Sequence, residues 1–264
     1  MHVDLFDRYQ SGQSFVHRLD PRVKVVITLV FILSNVLLPD GAWIALLLSW
    51  IFVLVASTSA GLGLGYAVKR SFVALPFFLA AVSAIFAVPG RAIGGLEIGP
   101  WNLVATHEGL VRFGSIVARS WISVQMAILL TATTQFPDLV HALRHLHVPQ
   151  VLVSIIAFMY RYLFVLSDEA MRLLRAREAR SAQPLRGNGR SIGWRARVAG
   201  NMAGQLFLRS YERSDRVYNA MLARGYDGHY RTMNPHVICA IDWAIGGSAV
   251  IMLVLIQAIG RLAL

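Results

Sequence analysis

Apolar residues come in long runs, and the polar breaks between them are short. The first run extends from Val23 to Leu38 and the second from Trp43 to Ala60. The third covers Ser71 to Val88, with Pro76 expected to kink it, because proline removes a helical hydrogen bond and crowds the preceding turn. A fourth runs from Glu108 to Thr134 and a last from Val237 to Ile259. Each is near the roughly 20 residues needed to cross a bilayer, so the pattern predicts an all-α integral membrane protein with about five transmembrane helices. Between the fourth run and the last, two long helices are predicted, from Val148 to Arg180 and from Trp194 to Arg224. A loop from Gln183 to Gly193, rich in Gly, Arg, Ser and Asn, joins them. Three parts follow: a four-span membrane domain (1–134), a cytosolic or interfacial block of two long crossed helices (135–236), and a C-terminal transmembrane helix (237–264).

The breaks carry local signals. Asp20-Pro21 reads as an N-cap followed by proline at the first helical position, with Arg22 and Lys24 free to snorkel to headgroups. Pro39-Asp40-Gly41 is a turn without Lys or Arg. Gly61, Gly63 and Gly65 have the wrong spacing for a dinucleotide fingerprint, and no Gly-Lys-Ser/Thr follows, so a flexible connection is expected. Pro89 to His107, with four glycines and two prolines in it, reads as a loop.

The first long helix of the central block is nearly all apolar through Leu166, with Tyr160, Arg161 and Tyr162 as interface-type residues, and charged beyond it. Seventeen apolar residues could just span a bilayer, but that would export the arginines that follow, so the helix is expected along the inner face. In the second, Ala196, Gly200 and Gly204 recur every four residues, a small-residue ridge suited to a close crossing with the first. Asp168–Arg172 and Glu212–Arg216 are spaced as i,i+4 ion pairs.

Composition agrees with a membrane chain: 56% of residues are hydrophobic and only 15% charged, against about 25% in soluble domains. Charge adds an orientation. Between Pro137 and Asn234 there are fifteen arginines and seven acids, a net +8 of the chain's +11. Such a block could meet nucleic acid, anionic lipid or an acidic protein surface; in a membrane protein the inside-positive rule accounts for it first. With Lys69-Arg70 and the Arg8, Arg18, Arg22 and Lys24 of the N-terminal segment on the same side, the N-terminus is expected in the cytoplasm and the C-terminus outside. The single cysteine, Cys239, allows no intrachain disulfide. No small-residue cleavage pattern follows the first run, so no cleavable signal peptide is expected.

Candidate chemistry is sparse. There is no Walker motif, no paired catalytic carboxylates and no nucleophile–base pair. His141, His145 and His147 cluster, but no carboxylate or thiolate completes a metal site, and Met1-His2 alone is too weak to hold one. Arg112 and Arg119 lie seven residues apart on one helical face, with Glu108 four before Arg112; they suit a structural salt bridge or a contact with a partner membrane subunit. The two long helices end alike, on Ala179-Arg180-Ser181 and Ala223-Arg224-Gly225. The helix dipole favours a cation there, and small neighbours leave the guanidinium free to fork onto a carboxylate of another protein.

These residues carry a resemblance over nearly the whole chain. His17-Arg18-Leu19-Asp20-Pro21-Arg22-Val23-Lys24, the Pro137–Arg180 segment and the run from Ser210 to Tyr226 resemble the transmembrane T component of energy-coupling-factor transporters, of the CbiQ-like, cobalt/nickel type. The resemblance implies a non-catalytic scaffold and transmission subunit in a bacterial plasma membrane. It would couple two cytosolic ATPases to a separate CbiM-like substrate-binding membrane subunit, with a possible small accessory subunit. It also implies that Arg180 and Arg224 each dock on one ATPase. The second motif matches fully; the first has Ser181 where Gly is common, and Ala176-Arg177-Glu178 offers a competing register three residues earlier. No cofactor is implied in this chain: ATP and magnesium belong to the partner ATPases, and cobalt or nickel to the substrate-binding subunit. The alternatives are a T component for a vitamin and a self-contained secondary carrier, although internal repeats and midplane acids are missing. An anchored enzyme or a nucleic-acid binder fits less well.

Overall fold

The computed structural model describes residues 9–87, 89–98, 101–146, 148–180, 192–228 and 239–262. They form two compact units, one of residues 9–142 with 239–262 and the other of residues 143–228.

The larger unit opens with a single turn, α1 (Phe15–Arg18), and then α2 (Pro21–Val36). The cap is as expected: the Asp20 carboxylate accepts from the Arg22 N–H at 2.9 Å, and Pro21 occupies the first turn. The two cations that follow do not snorkel. Lys24 is buried and donates to the carbonyls of His17 (3.1 Å) and Thr133 (3.2 Å). Arg22 meets His141 Nε2 at 2.9 Å. Helix ends leave free carbonyls, and a lysine that finds two of them is better served inside than at the headgroups.

Next come α3 (Trp43–Ser59), α4 (Leu64–Arg70), a 3-10 turn (Ser71–Ala74) and α5 (Leu75–Ala87). The irregularity expected at Pro76 lies one turn earlier, in the 3-10 segment, and Pro76 sits in the first turn of α5, where it costs little. The glycine-rich connection is short: Gly61 takes φ +70°, and α4 already begins after Gly63. The stretch read as a loop contains an antiparallel hairpin, β1 (Ala92–Ile98) and β2 (Trp101–Thr106). Its register runs from Ala92↔Thr106 to Ile98↔Trp101, with a bulge between Ala92 and Gly94. Glycines and prolines masked the alternation that would have announced it. Then follow α6 (His107–Thr133), capped by Thr106 on the Gly109 N–H, and α7 (Phe136–His145). The chain returns to this unit in α10 (Ala240–Leu262).

Helices α2, α3, α6 and α10 pack around one core. Phe31, Val53, Ile122, Met126, Leu253 and Ile256 are buried in it, and Phe31 stacks on Phe52 at 5.5 Å. Glycine fixes the closest approach: a Cβ on Gly260 would stand 2.7 Å from Leu38 Cδ2 and 3.1 Å from Ala45 Cβ. The outside is apolar too, with Leu33, Leu47, Phe72, Leu79, Val254 and Leu255 exposed, as befits a surface solvated by lipid. Among the described residues, four helical segments are long and apolar enough to cross a membrane: Gly65–Phe86, His107–Thr133, Gln150–Arg180 and Ala240–Leu262. Helix α3 is shorter, at 17 residues, and α2 has 16. The chain is a helical integral membrane protein, to which the hairpin is an addition.

Two polar clusters brace this unit. At one, Asp242 of α10 accepts from the backbone N–H groups of Asp20 (3.2 Å) and Cys239 (2.9 Å), fastening the last helix to the first. At the other, Arg119 donates to Asp40 at 2.7 Å, Arg112 stands 3.8 Å from the same carboxylate, and Asn35 donates to the Arg119 carbonyl and to Ser123. The arginines of α6 therefore pair with the acid of the Pro39–Gly41 turn. Glu108, expected beside Arg112, accepts from the Arg91 N–H at 2.8 Å.

Candidate functional site

The smaller unit is built on two helices, α8 (Gln150–Arg180) and α9 (Ile192–Ala223), of 31 and 32 residues. At 1.5 Å per residue each is roughly 45–50 Å long. They run antiparallel. The N-terminal half of α8 faces the C-terminal half of α9 across one cavity, and the C-terminal half of α8 faces the N-terminal half of α9 across another. Between the cavities, the guanidinium of Arg209 donates to the carboxylate of Glu169, which is only 17% exposed and also lies 4.0 Å from Arg172.

The crossing corrects several expectations. The small-residue ridge does not make it: Ala196, Gly200 and Gly204 are exposed, and a Cβ on either glycine would meet nothing within 4 Å. Helix α9 turns another stripe inward, with Val198, Met202, Leu206, Ser210, Arg213 and Val217 half-buried. Arg172 pairs with Glu169, one turn back, rather than with Asp168. Among the described residues Glu212 and Arg216 form no ion pair. The ridge and the Arg209 stripe lie on different faces of one helix, and spacing alone cannot say which face meets α8.

The end of α9 has the geometry the sequence suggested; on α8 the described residues run to Arg180. Arg180 is the last residue of α8 and exposed, as is Ala179; Ser181 lies outside the described residues. Helix α9 ends at Ala223. The Tyr226 N–H reaches back to the Met221 carbonyl at 3.0 Å, the Gly225 N–H bonds to Leu222 at 3.0 Å, and Gly225 adopts φ +78°. These paired bonds close the helix in a Schellman motif, which requires the left-handed residue that glycine supplies cheaply. The turn leaves Arg224 at the tip, exposed. Arg180 is eleven residues beyond Glu169 and Arg224 fifteen beyond Arg209, so the tips stand roughly 16 and 22 Å from the crossing, on opposite arms. Among the described residues neither Arg180 nor Arg224 has an ion-pair partner.

The two cavities differ in chemistry. The first, about 540 Å³, has Phe158, Met159, Leu166, Val217 and Met221 on its wall and Arg213 as the one charged side chain there. The second, about 720 Å³, is lined by Arg172, Arg177, Arg180 and Arg209 against Glu169 alone. Among the described residues no group of three or more His, Cys, Asp or Glu side chains could hold a metal ion. His141 is engaged by Arg22, while His147 and Met1-His2 lie outside the described residues. Arg112 and Arg119 sit in the larger unit, committed to Asp40. The sequence reading missed Asp40, Asp242 and Glu169 as partners; a lone acid beside an apolar span is the signal that could have pointed to the first two.

Comparison with known proteins matches residues 12–235 to the family described as CbiQ, cobalt transport protein. A transmembrane protein EcfT of an energy-coupling factor transporter from Thermosediminibacter oceani is 30% identical over 84% of this chain and 83% of its own length. Another EcfT, from Lacticaseibacillus paracasei, is 27% identical over 94% of this chain and 95% of its own. The cobalt transport protein CbiQ of Salmonella typhimurium is 27% identical over 85% of this chain and 97% of its own. The match spans both the helical membrane unit and the crossed pair, and the chain belongs to the CbiQ cobalt transport protein family, as a multi-pass membrane component of a transporter.

Proposed function

We propose that this chain is the transmission subunit of an ATP-driven importer. Two cytosolic ATP-hydrolysing subunits each take one tip of the crossed helices, Arg180 on α8 and Arg224 on α9. Their closure on ATP moves the arms about the Glu169–Arg209 crossing, and the movement passes to a separate membrane subunit that holds the cargo, a cobalt or nickel ion. A small accessory membrane subunit completes the assembly. The N-terminus and the crossed pair face the cytoplasm of a bacterial plasma membrane, the orientation in which the arginine-rich block stays inside. The chain itself does no chemistry; ATP and magnesium are held by the hydrolysing subunits.

The observation that carries this reading is the placement of Arg180 and Arg224, exposed and, among the described residues, without an ion-pair partner, on opposite sides of the Glu169–Arg209 pair. The names of related proteins, one group cobalt transport proteins and the other components of energy-coupling factor transporters, support both the cargo and the mode of driving. Purification of the chain from its native membrane, with identification of what accompanies it, tests the reading. Two ATP-hydrolysing subunits and the cargo-holding membrane subunit are expected, with cobalt uptake that requires all of them. Cobalt uptake into liposomes by the chain alone would instead make it a secondary carrier.

A further inference from the structure

The cationic cavity of the crossed pair has no role in the reading above beyond the Arg180 tip. It holds four guanidinium groups and one carboxylate, and that carboxylate is already taken by Arg209 and Arg172. Arg177 is half-buried on its wall and, among the described residues, without an ion-pair partner. A guanidinium partly withdrawn from water without a counter-charge is unfavourable until an anion reaches it. Leu173, Val198 and Met202 give the cavity an apolar floor, while Asn201 and Gln205 add amides that can both donate and accept.

We infer that this cavity receives an acidic segment of the ATP-hydrolysing subunit that docks on Arg180, with carboxylates set between Arg172 and Arg177 and an apolar side chain on the Leu173–Met202 floor. The inference rests on the proposed function and adds a second contact to it. Carboxylate is the chemistry the lining favours: planar guanidinium forks bind it in bidentate fashion, and amides and an apolar floor suit a peptide better than a bare headgroup. A cavity of about 720 Å³ is in the usual range for a bound ligand and has room for a few residues of chain. The opposite cavity has a mostly apolar wall with hydroxyls of serine and tyrosine and Arg213 as its one charged side chain, and offers an acidic segment far less positive charge. Arg177 and Arg180 then need not compete for one role: Arg180 is the tip, and Arg177 lines the recess behind it.

The test uses the assembled complex. Arg172→Glu with Arg177→Glu is expected to weaken co-purification of the ATP-hydrolysing subunits about tenfold to a hundredfold, the loss due to one or two charge-assisted hydrogen bonds. In a second arm, Arg177→Lys complexes are treated with a zero-length carbodiimide, which joins an amine to a carboxylate it touches. The expected product links Lys at position 177 to an Asp or Glu of an ATP-hydrolysing subunit. Undiminished association of the Glu double variant, a link confined to this chain's own Glu169, or altered retention of anionic phospholipid with normal association would overturn the inference, the last in favour of a lipid. Any of these leaves the proposed function standing if Arg180→Glu with Arg224→Glu still abolishes association; if that pair also binds normally, the function itself falls.

Discussion

Glu169 of α8 and Arg209 of α9 meet at the point where the two long helices cross. Forty residues separate them in sequence, and the pair ties the middle of α8 to the middle of α9, where the sequence pointed to a glycine ridge. Arg209 is 53% exposed, so the pair adds only about 0.5–1 kcal/mol to stability. Its larger consequence is geometric, because it sets the length of each arm. Glu169→Gln should leave the protein folded in detergent and reduce uptake driven per ATP hydrolysed. Exchanging the charges, Glu169→Arg with Arg209→Glu, should restore much of that ratio. A ratio that is normal in both single variants would separate the crossing from coupling.

Arg119 and Arg112 face the same Asp40 but differ in burial. Arg119 is 16% exposed and donates at 2.7 Å; Arg112 is 54% exposed and stands at 3.8 Å. Arg119→Ala should therefore lower thermal stability by about 1.5–3 kcal/mol, the cost of losing a charge-assisted bond, whereas Arg112→Ala should cost about 1 kcal/mol or less. Thermal unfolding of the purified single variants checks the order, which would be reversed if Arg112 were the anchor.

Gly200 and Gly204 give the opposite kind of prediction. With open space at both Cβ positions, Gly200→Ala and Gly204→Ala should each stabilise α9 by roughly 1 kcal/mol, through helix propensity alone. Helix content and melting temperature of the isolated protein measure it. A loss of stability would mean that the ridge packs against something after all.

Much of the architecture was legible because bilayer thickness imposes a length on apolar runs, and capping imposes residue types on helix ends. Asp20-Pro21 and Ala223-Arg224-Gly225 could be read as a start and a stop, and both are so formed. What could not be read was partnership at a distance. Lys24 looked like a snorkelling lysine until α6 brought the Thr133 carbonyl within 3.2 Å. Asp242 accepts the backbone N–H of Asp20 across a sequence separation of 222 residues, which no local pattern announces. The crossing failed for the same reason: spacing shows which residues share a face, and only packing shows which face is used. The hairpin at 92–106 was hidden because glycine-rich strands lack the β-branched alternation by which a strand is recognised.

The central claim is that Arg180 and Arg224 are the points at which the ATP-hydrolysing subunits hold this chain. Uptake of cobalt by cells producing Arg180→Glu with Arg224→Glu, measured together with the amount of those subunits retained on the purified chain, addresses it most directly. The account predicts normal insertion of the variant in the membrane, loss of uptake to background and loss of the retained subunits. Retention and uptake at the level of the unaltered protein would contradict it.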